Sequence, residues 1–157
     1  MTSTLAPLLR QTPPLLIVED SDEDFEALMR FLRRSPLVIP VERCMNGEQA
    51  LAFLHHTDQY ANCDHFPRPG MILLDLNLPG IDGREVLRRL KLDHNLKTIP
   101  VVIFTTSNHP NDIETCYQQG ANSYIIKPID INQLKRNVQT LVDYWFEVTR
   151  LPDGSAD

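Results

Sequence analysis

MILLDLNLPG, residues 71–80, decides the fold. Four apolar residues, Met71 to Leu74, run without alternation into Asp75 and a Leu-Asn-Leu-Pro-Gly turn. A short, continuous apolar run closed by turn residues suits a parallel strand covered on both faces. Outward from this segment the pattern repeats, with strand candidates at Leu15–Val18, Val38–Val41, Val101–Phe104 and Tyr124–Ile126. Helical patterns separate them. Phe25, Leu28, Met29 and Leu32 fall at i, i+3, i+4 and i+7, with Ser21 placed as N-cap. Ala50, Leu51 and Leu54 make a second stripe, and Val86, Leu87 and Leu90 a third. A fourth helix opens at Asn111 with Glu114 as capping-box partner and stops at Gly120. The last runs from Ile131 to Arg150, with Leu134, Val138, Leu141, Val142, Trp145 and Phe146 on one face. Five strands alternating with five helices predict an α/β sandwich with a parallel sheet and right-handed crossovers. The polar stretch 57–70 is longer than an ordinary connection and is expected to be a surface loop.

Composition narrows the class. The 157 residues are 42% hydrophobic and 23% charged, which suits one globular domain and argues against disorder. At this length folding removes about two-thirds of the unfolded surface from water, so a core needs no disulfide or metal staple. Lys plus Arg number 15 against 21 Asp plus Glu, a net charge of -6 that argues against direct nucleic-acid binding. Cys44, Cys63 and Cys116 are widely spaced with no CxxC pair, which indicates neither a disulfide framework nor a zinc site. No apolar run is long enough to span a membrane, and Arg10 follows the apolar part of the first residues, the wrong order for a secretory signal. A cytoplasmic protein is expected, with a flexible leader at 1–14, one domain at 15–151 and a short tail at 152–157.

In an open α/β sheet, ligands bind beyond the carboxyl ends of the strands. The first strand ends in Glu19 and Asp20, the third in Asp75, the fourth in Thr105 and Thr106, and the fifth in Lys127 and Pro128. Two carboxylates about 4 Å apart repel by roughly 4 kcal/mol at an effective dielectric of 20. A cup that gathers three must raise a pKa, recruit cations, or do both. Lys127 supplies one positive charge, and the remainder suits Mg²⁺, which takes one or two carboxylates plus waters and phosphate oxygens. A carboxylate oxygen of Asp75 could then attack a phosphoryl group. The metal and Lys127 would neutralise its equatorial oxygens, and Thr105 would donate a hydrogen bond to one of them.

The segments LLIVEDSDED, ILLDLNLPGIDG, IPVVIFTTS and SYIIKP resemble the receiver domain of two-component response regulators, the CheY-like superfamily. That resemblance implies a three-layer αβα sandwich, flavodoxin-like, with a five-stranded sheet in the order 2-1-3-4-5. It implies Asp75 as phosphoacceptor, Asp20 and the Asn77 backbone carbonyl as Mg²⁺ ligands beside Asp75, and Glu19 on a metal-bound water. Thr105 and Lys127 become phosphoryl ligands, Tyr124 the switch aromatic, and the bond before Pro128 is expected to be cis. A histidine kinase would donate the phosphoryl group from its phosphohistidine. Thr105 would be drawn inward, Tyr124 would follow, and the face made by the fourth helix, fifth strand and fifth helix would change shape. Only Pro-Asp-Gly-Ser-Ala-Asp follows Leu151, so the signal is expected to leave by protein–protein contact rather than through enzymatic turnover. EDSDEDF, LNLPGIDGREVL, TTS and the terminal YWFEV further resemble the stand-alone regulators of cyanobacterial phytochromes. Among these the bacteriophytochrome-partner subset is nearer, because Glu-Asp precedes Ser.

Blander readings weigh against single residues. Glu19 and Asp20 could be first-turn acids at a positive helix end, but Asp22, Glu23 and Asp24 already fill that role. Thr105 alone could be an ordinary strand residue. Thr106, Ser107 and Asn77 would tune the hydrolytic lifetime. Cys63 and His65 lack the ligand count for zinc, and His55 and His56 suit a helix end. Tyr144 points away from the apolar stripe of the last helix and is expected to serve a partner, either a second copy in a homodimer or a kinase. Two alternatives compete with the receiver reading. A haloacid-dehalogenase-like phosphatase would also use Asp75 as nucleophile, but its motif needs an aspartate where Asn77 stands. A phosphorylation-independent interaction module would need an acceptor, metal or cation position to be lost, and none is.

Overall fold

A computed structural model describes residues 12–155 of the chain. The expected leader therefore lies, up to residue 11, outside the described residues. The elements follow in the order β1 (Leu15–Val18), α1 (Asp22–Leu32), β2 (Val41–Cys44), α2 (Gly47–His55), β3 (Met71–Leu74), α3 (Gly83–Leu92), β4 (Val101–Thr105), α4 (Pro110–Gln118), β5 (Ser123–Ile126) and α5 (Ile131–Val142). The sheet is wholly parallel in the order β2-β1-β3-β4-β5, as the resemblance implies.

Strand pleating splits the apolar runs between two layers. Leu16, Val18, Ile72, Leu74, Val101 and Ile103 face one core with Phe53 and Leu54 of α2, Val86, Leu87 and Leu90 of α3, and Cys116 of α4. Leu15, Ile17, Met71, Leu73, Val102 and Phe104 face the other, against Leu28, Phe31 and Leu32 of α1 and Leu134, Val138 and Val142 of α5. Both faces of β1, β3 and β4 are therefore buried, which is why these strands lack alternation.

Helix entries follow the expected caps in part. Ser21 caps α1 by accepting from the Asp24 amide at 3.2 Å. α4 starts earlier than expected. His109 Nδ1 accepts from the Asn111 amide at 3.1 Å and Pro110 occupies the first turn, where its missing N–H costs nothing. Glu114 instead accepts from the Gln118 side chain one turn on. β2 lies three residues beyond its expected start, because Pro40 has no N–H to give a ladder and Val38 is 87% exposed. α5 is α-helical only to Val142, and a π-helical stretch carries Asp143–Val148. That extra turn lets Trp145 and Phe146 keep packing on the α1/α5 core while Tyr144 stays exposed.

The stretch 57–70 is more than a surface loop. A 3₁₀ turn at Asp58–Tyr60 buries Tyr60, and Phe66 returns onto it. Phe53, Tyr60 and Phe66 meet edge to face, with ring centroids 5.0 to 5.8 Å apart. Such geometry aligns positive ring edges with negative faces. Phe53→Ala should therefore destabilise the protein by about 3–5 kcal/mol, measured by urea denaturation, since the cavity lies under a loop without regular backbone pairing.

Candidate functional site

Parallel register builds the site. Val18 of β1 sits opposite Leu74 of β3, so the next residues, Glu19 and Asp75, leave the sheet side by side. The Asp75 amide donates to the Val18 carbonyl at 3.1 Å, and the Glu19 amide to the Cys44 carbonyl at 3.0 Å. Two strands further along, the Lys127 amide donates to the Thr105 carbonyl at 2.7 Å. Gly83 completes the floor: a Cβ there would collide with the Asp75 carbonyl oxygen, so α3 can approach the β3 tip only through glycine.

Glu19, Asp20 and Asp75 each offer a carboxylate oxygen within 4.8 Å of the others. Glu19 and Asp75 are buried and Asp20 is exposed, so the cup opens to solvent on the Asp20 side. Lys127 reaches into it, its Nζ lying 2.9 Å from Glu19 Oε2 and 2.9 Å from Asp75 Oδ2. The Asn77 amide donates to Asp75 Oδ1 at 3.1 Å, and the Ser21 amide to Glu19 Oε1 at 3.1 Å. Burial pushes the Glu19 carboxyl up to about 7 against the pull of the Lys127 hydrogen bond, and the neighbouring Asp75 charge adds to the rise. For Lys127, burial alone would lower the ammonium. Its hydrogen bonds to Asp24, Glu19 and Asp75 outweigh burial and hold it above its usual range.

Glu19, Asp20, Asp75 and Lys127 meet in this cup, whereas Tyr144, Cys63 and His65 lie on other segments. Thr105 is fully buried at the tip of β4, its hydroxyl accepting a long bond from the Ser107 amide at 3.5 Å. Tyr124 is half-buried against the α2/α3 core, and its hydroxyl donates to the Ser107 carbonyl at 2.8 Å. One expectation is overturned. The bond before Pro128 is trans, since none of the described residues has a cis peptide. Lys127 is aimed instead by its amide bond to Thr105 and by the carboxylates around its ammonium, and a trans X–Pro bond is in any case the lower-energy isomer.

Two residues join the site that local pattern did not assign to it. Asp24, a first-turn acid by position, also accepts from Lys127 Nζ at 2.8 Å, across 103 residues of chain. Arg43 of β2 donates from Nε to the Glu19 carbonyl at 3.1 Å, pairs with Asp22 at 2.8 Å and lies 4.4 Å above the Phe25 ring. It thus fixes the Glu19–Asp20 turn from the neighbouring strand. For Asp24 no local signal was available, because an acid in the first turn of α1 reads as a helix-start residue whether or not a distant lysine reaches it.

The donor set is all oxygen, anionic and open on one side, which fits a hard divalent cation rather than a thiolate- or imidazole-seeking metal. Cys44 and Cys116 are buried and Cys63 exposed, all three unpaired. Among the described residues no helix is long and apolar enough to cross a membrane.

An acidic cup with a buried lysine, at the carboxyl edge of a parallel 2-1-3-4-5 sheet, is the arrangement of a receiver fold. The chain belongs to the response regulator receiver domain family, whose pattern matches residues 15–139. It is 39% identical over 142 residues to response regulator Rcp1 of Synechocystis sp., covering 89% of this chain and 95% of that one. The Mn²⁺-bound crystal structure of Rcp1 superposes with a TM-score of 0.83 at 38% identity, covering 89% of this chain and 99% of that one. The phosphorylated cyanobacterial phytochrome response regulator RcpA superposes at 0.85 and 37% identity, covering 90% and 99%. Receivers bind a divalent metal, and this chain is a response regulator of the Rcp1 type.

The ion pairs differ in weight. Lys127 and Asp75 are 10% and 5% exposed, whereas Asp24 is 42% exposed. Lys127→Met should destabilise the metal-free protein by about 3–5 kcal/mol, because it strands two buried carboxylates. Asp24→Asn should stay within about 1 kcal/mol, because water screens that partner. Equilibrium urea denaturation of both variants checks this, and equal losses would mean that the buried carboxylates do not need the ammonium.

Proposed function

We propose that the protein is a phosphorylation-operated switch in which Asp75 accepts a phosphoryl group from the phosphohistidine of a sensor kinase. What carries the reading is Lys127, shared between Glu19 and Asp75 beside the open Asp20 carboxylate. A cup so arranged is incomplete without cations on its open side, and an incoming phosphoryl group brings the oxygens that such cations need. Mg²⁺ is the cation proposed, held by Asp20, Asp75 and the Asn77 backbone carbonyl, with Glu19 acting through a bound water. When bound, it supplies positive charge to the phosphoryl oxygens.

The side chains then have distinct tasks. An Asp75 carboxylate oxygen attacks phosphorus, and the bond from phosphorus to the kinase imidazole nitrogen breaks. The leaving nitrogen keeps the electron pair and takes a proton from water. Lys127 exchanges a carboxylate oxygen for a phosphoryl oxygen. Thr105 turns its hydroxyl from the Ser107 amide toward the phosphoryl group. Tyr124 is the aromatic whose position reports this change to the face formed by α4, β5 and α5. The chain carries out this self-modification and its reversal and turns over no separate substrate.

The partner proposed is a histidine kinase of the phytochrome or bacteriophytochrome type, in the cytoplasm. The similarity to Rcp1 and to the phytochrome response regulator RcpA supports that choice. Output is proposed to pass by protein contact, a second copy of the chain included, with exposed Tyr144 on the surface available for it.

Incubation with acetyl phosphate and Mg²⁺ should add one phosphoryl group, seen as a mass increase and a Phos-tag shift. Asp75→Asn should remain unmodified, as should wild type with excess chelator. Labelling of Asp75→Asn at the wild-type level would end the proposal. In a time course against purified sensor kinases of the host, a phytochrome-type kinase should transfer faster than the others.

A further inference from the structure

Beyond the acidic cup, one polar network ties the acceptor loop to the switch loop. Arg84 lies in the first turn of α3, one residue after the glycine that packs on Asp75. Its guanidinium forks onto Asp112 of α4, Nε to Oδ1 at 2.9 Å and Nη2 to Oδ2 at 2.8 Å. Its Nη1 donates to both oxygens of Asp82, the N-cap of α3, at 3.1 and 2.9 Å. Asp112 in turn accepts from the Ser107 hydroxyl at 2.6 Å. Ser107 is the hub of the β4–α4 loop. Besides that bond, its carbonyl accepts from Tyr124, its amide donates to Thr105, and its hydroxyl accepts from the His109 amide at 3.4 Å.

The direction of the effect can be read from Tyr124. Its ring is turned inward against the core, and its hydroxyl is anchored on the Ser107 carbonyl. That is the position the proposed switch assigns to the phosphorylated protein. The carbonyl can accept there only while the loop holds Ser107 in place, and the loop's side-chain anchor is the Ser107–Asp112–Arg84 chain. A planar guanidinium that engages Asp112 through two parallel bonds fixes orientation as well as distance, which a lysine cannot do. Arg84 and Asp112 are 32% and 21% exposed, so solvent weakens the pair without dissolving it. Hydrogen bonds from Arg84, and then from Ser107, hold the Asp112 carboxyl down at about 2, so the bridge stays ionised throughout the neutral range.

We infer that Arg84 is a positioning residue for the phosphorylation switch: through Asp112 and Ser107 it favours the loop arrangement in which Tyr124 is inward. It touches neither the acceptor nor the phosphoryl group. The inference rests on the phosphoacceptor reading of Asp75 and adds a determinant of how easily the switched state is reached. An arrangement that is less populated before phosphorylation lowers the apparent affinity for a phosphoryl group by the same factor.

The test uses beryllofluoride, a phosphoryl mimic, added with Mg²⁺ and followed by calorimetry, together with the initial rate of acetyl phosphate labelling. Arg84→Met should weaken beryllofluoride binding by roughly fivefold, at the lower end of ordinary coupling factors, and slow labelling similarly. Asp112→Asn, which keeps the side-chain shape and guards against a folding defect in the first variant, should do the same. Arg84→Lys should fail to restore the wild-type value. Mg²⁺ affinity without beryllofluoride should remain at the wild-type value in all three. In a Tyr124→Phe background the Arg84→Met effect should vanish, because the carbonyl anchored by the network has lost its donor. A merely structural role would leave the effects additive. Unchanged beryllofluoride affinity in both Arg84→Met and Asp112→Asn would overturn the inference, as would full additivity with Tyr124→Phe. Absence of beryllofluoride binding and labelling in the wild type would instead refute the phosphoacceptor reading itself.

Discussion

Parallel register forces Glu19 and Asp75 together, and one ammonium makes that tolerable. β1 and β3 pair so that Val18 and Leu74 are partners, and the carboxylates follow at the next positions, both buried. Nothing in either strand can relieve the repulsion, because the two residues lie beyond the ladder at the same height. Relief comes from β5, two strands from β3, whose end carries Lys127 to 2.9 Å from each carboxylate. The site thus depends on tips from three strands being level, which depends on two cores clamping the sheet from both sides. Even with the ammonium in place, Glu19 remains raised toward neutrality by burial. The cup is held in a condition that extra positive charge improves, and this couples the fold to its ligands.

Much of this was legible in linear order. Continuous apolar runs mark β1, β3 and β4 because those strands are covered on both faces, and the residues just past them are the polar ones that converge. β2 was less legible. Its residues are Val-Glu-Arg-Cys at the sheet edge, half-buried except for Cys44, whereas the more apolar Val38–Val41 run contains a proline and leaves Val38 in solvent. Residues 57–70 look polar on average, and the average hides Tyr60 and Phe66, whose value lies in meeting Phe53 from another element. Asp24 illustrates the same limit at the site. Its local environment is a helix first turn, and only the tertiary approach of Lys127 gives it a second task. The trans bond at Pro128 has a different origin. Isomers of an X–Pro bond differ by about 0.5–1 kcal/mol, less than the ion pairs that orient Lys127, so the side chain reaches its partners without that device.

The partners of Lys127 also differ in how readily they can be given up. Asp24 is substantially exposed, so water replaces much of what the ammonium gives it, and release costs about 1 kcal/mol or less. Glu19 and Asp75 are desolvated, and losing the ammonium there without a substitute costs several times more. On the proposed phosphoryl transfer, Lys127 must gain a new anionic partner while the cup stays neutralised. The least costly exchange drops Asp24, keeps contact with the buried pair and turns the freed N–H toward the phosphoryl oxygen. The exposed aspartate is then a temporary station for a donor that must be present before transfer yet available during it. An all-buried set of partners would hold the lysine too firmly, and no third partner would leave one ammonium hydrogen to solvent and its direction undefined.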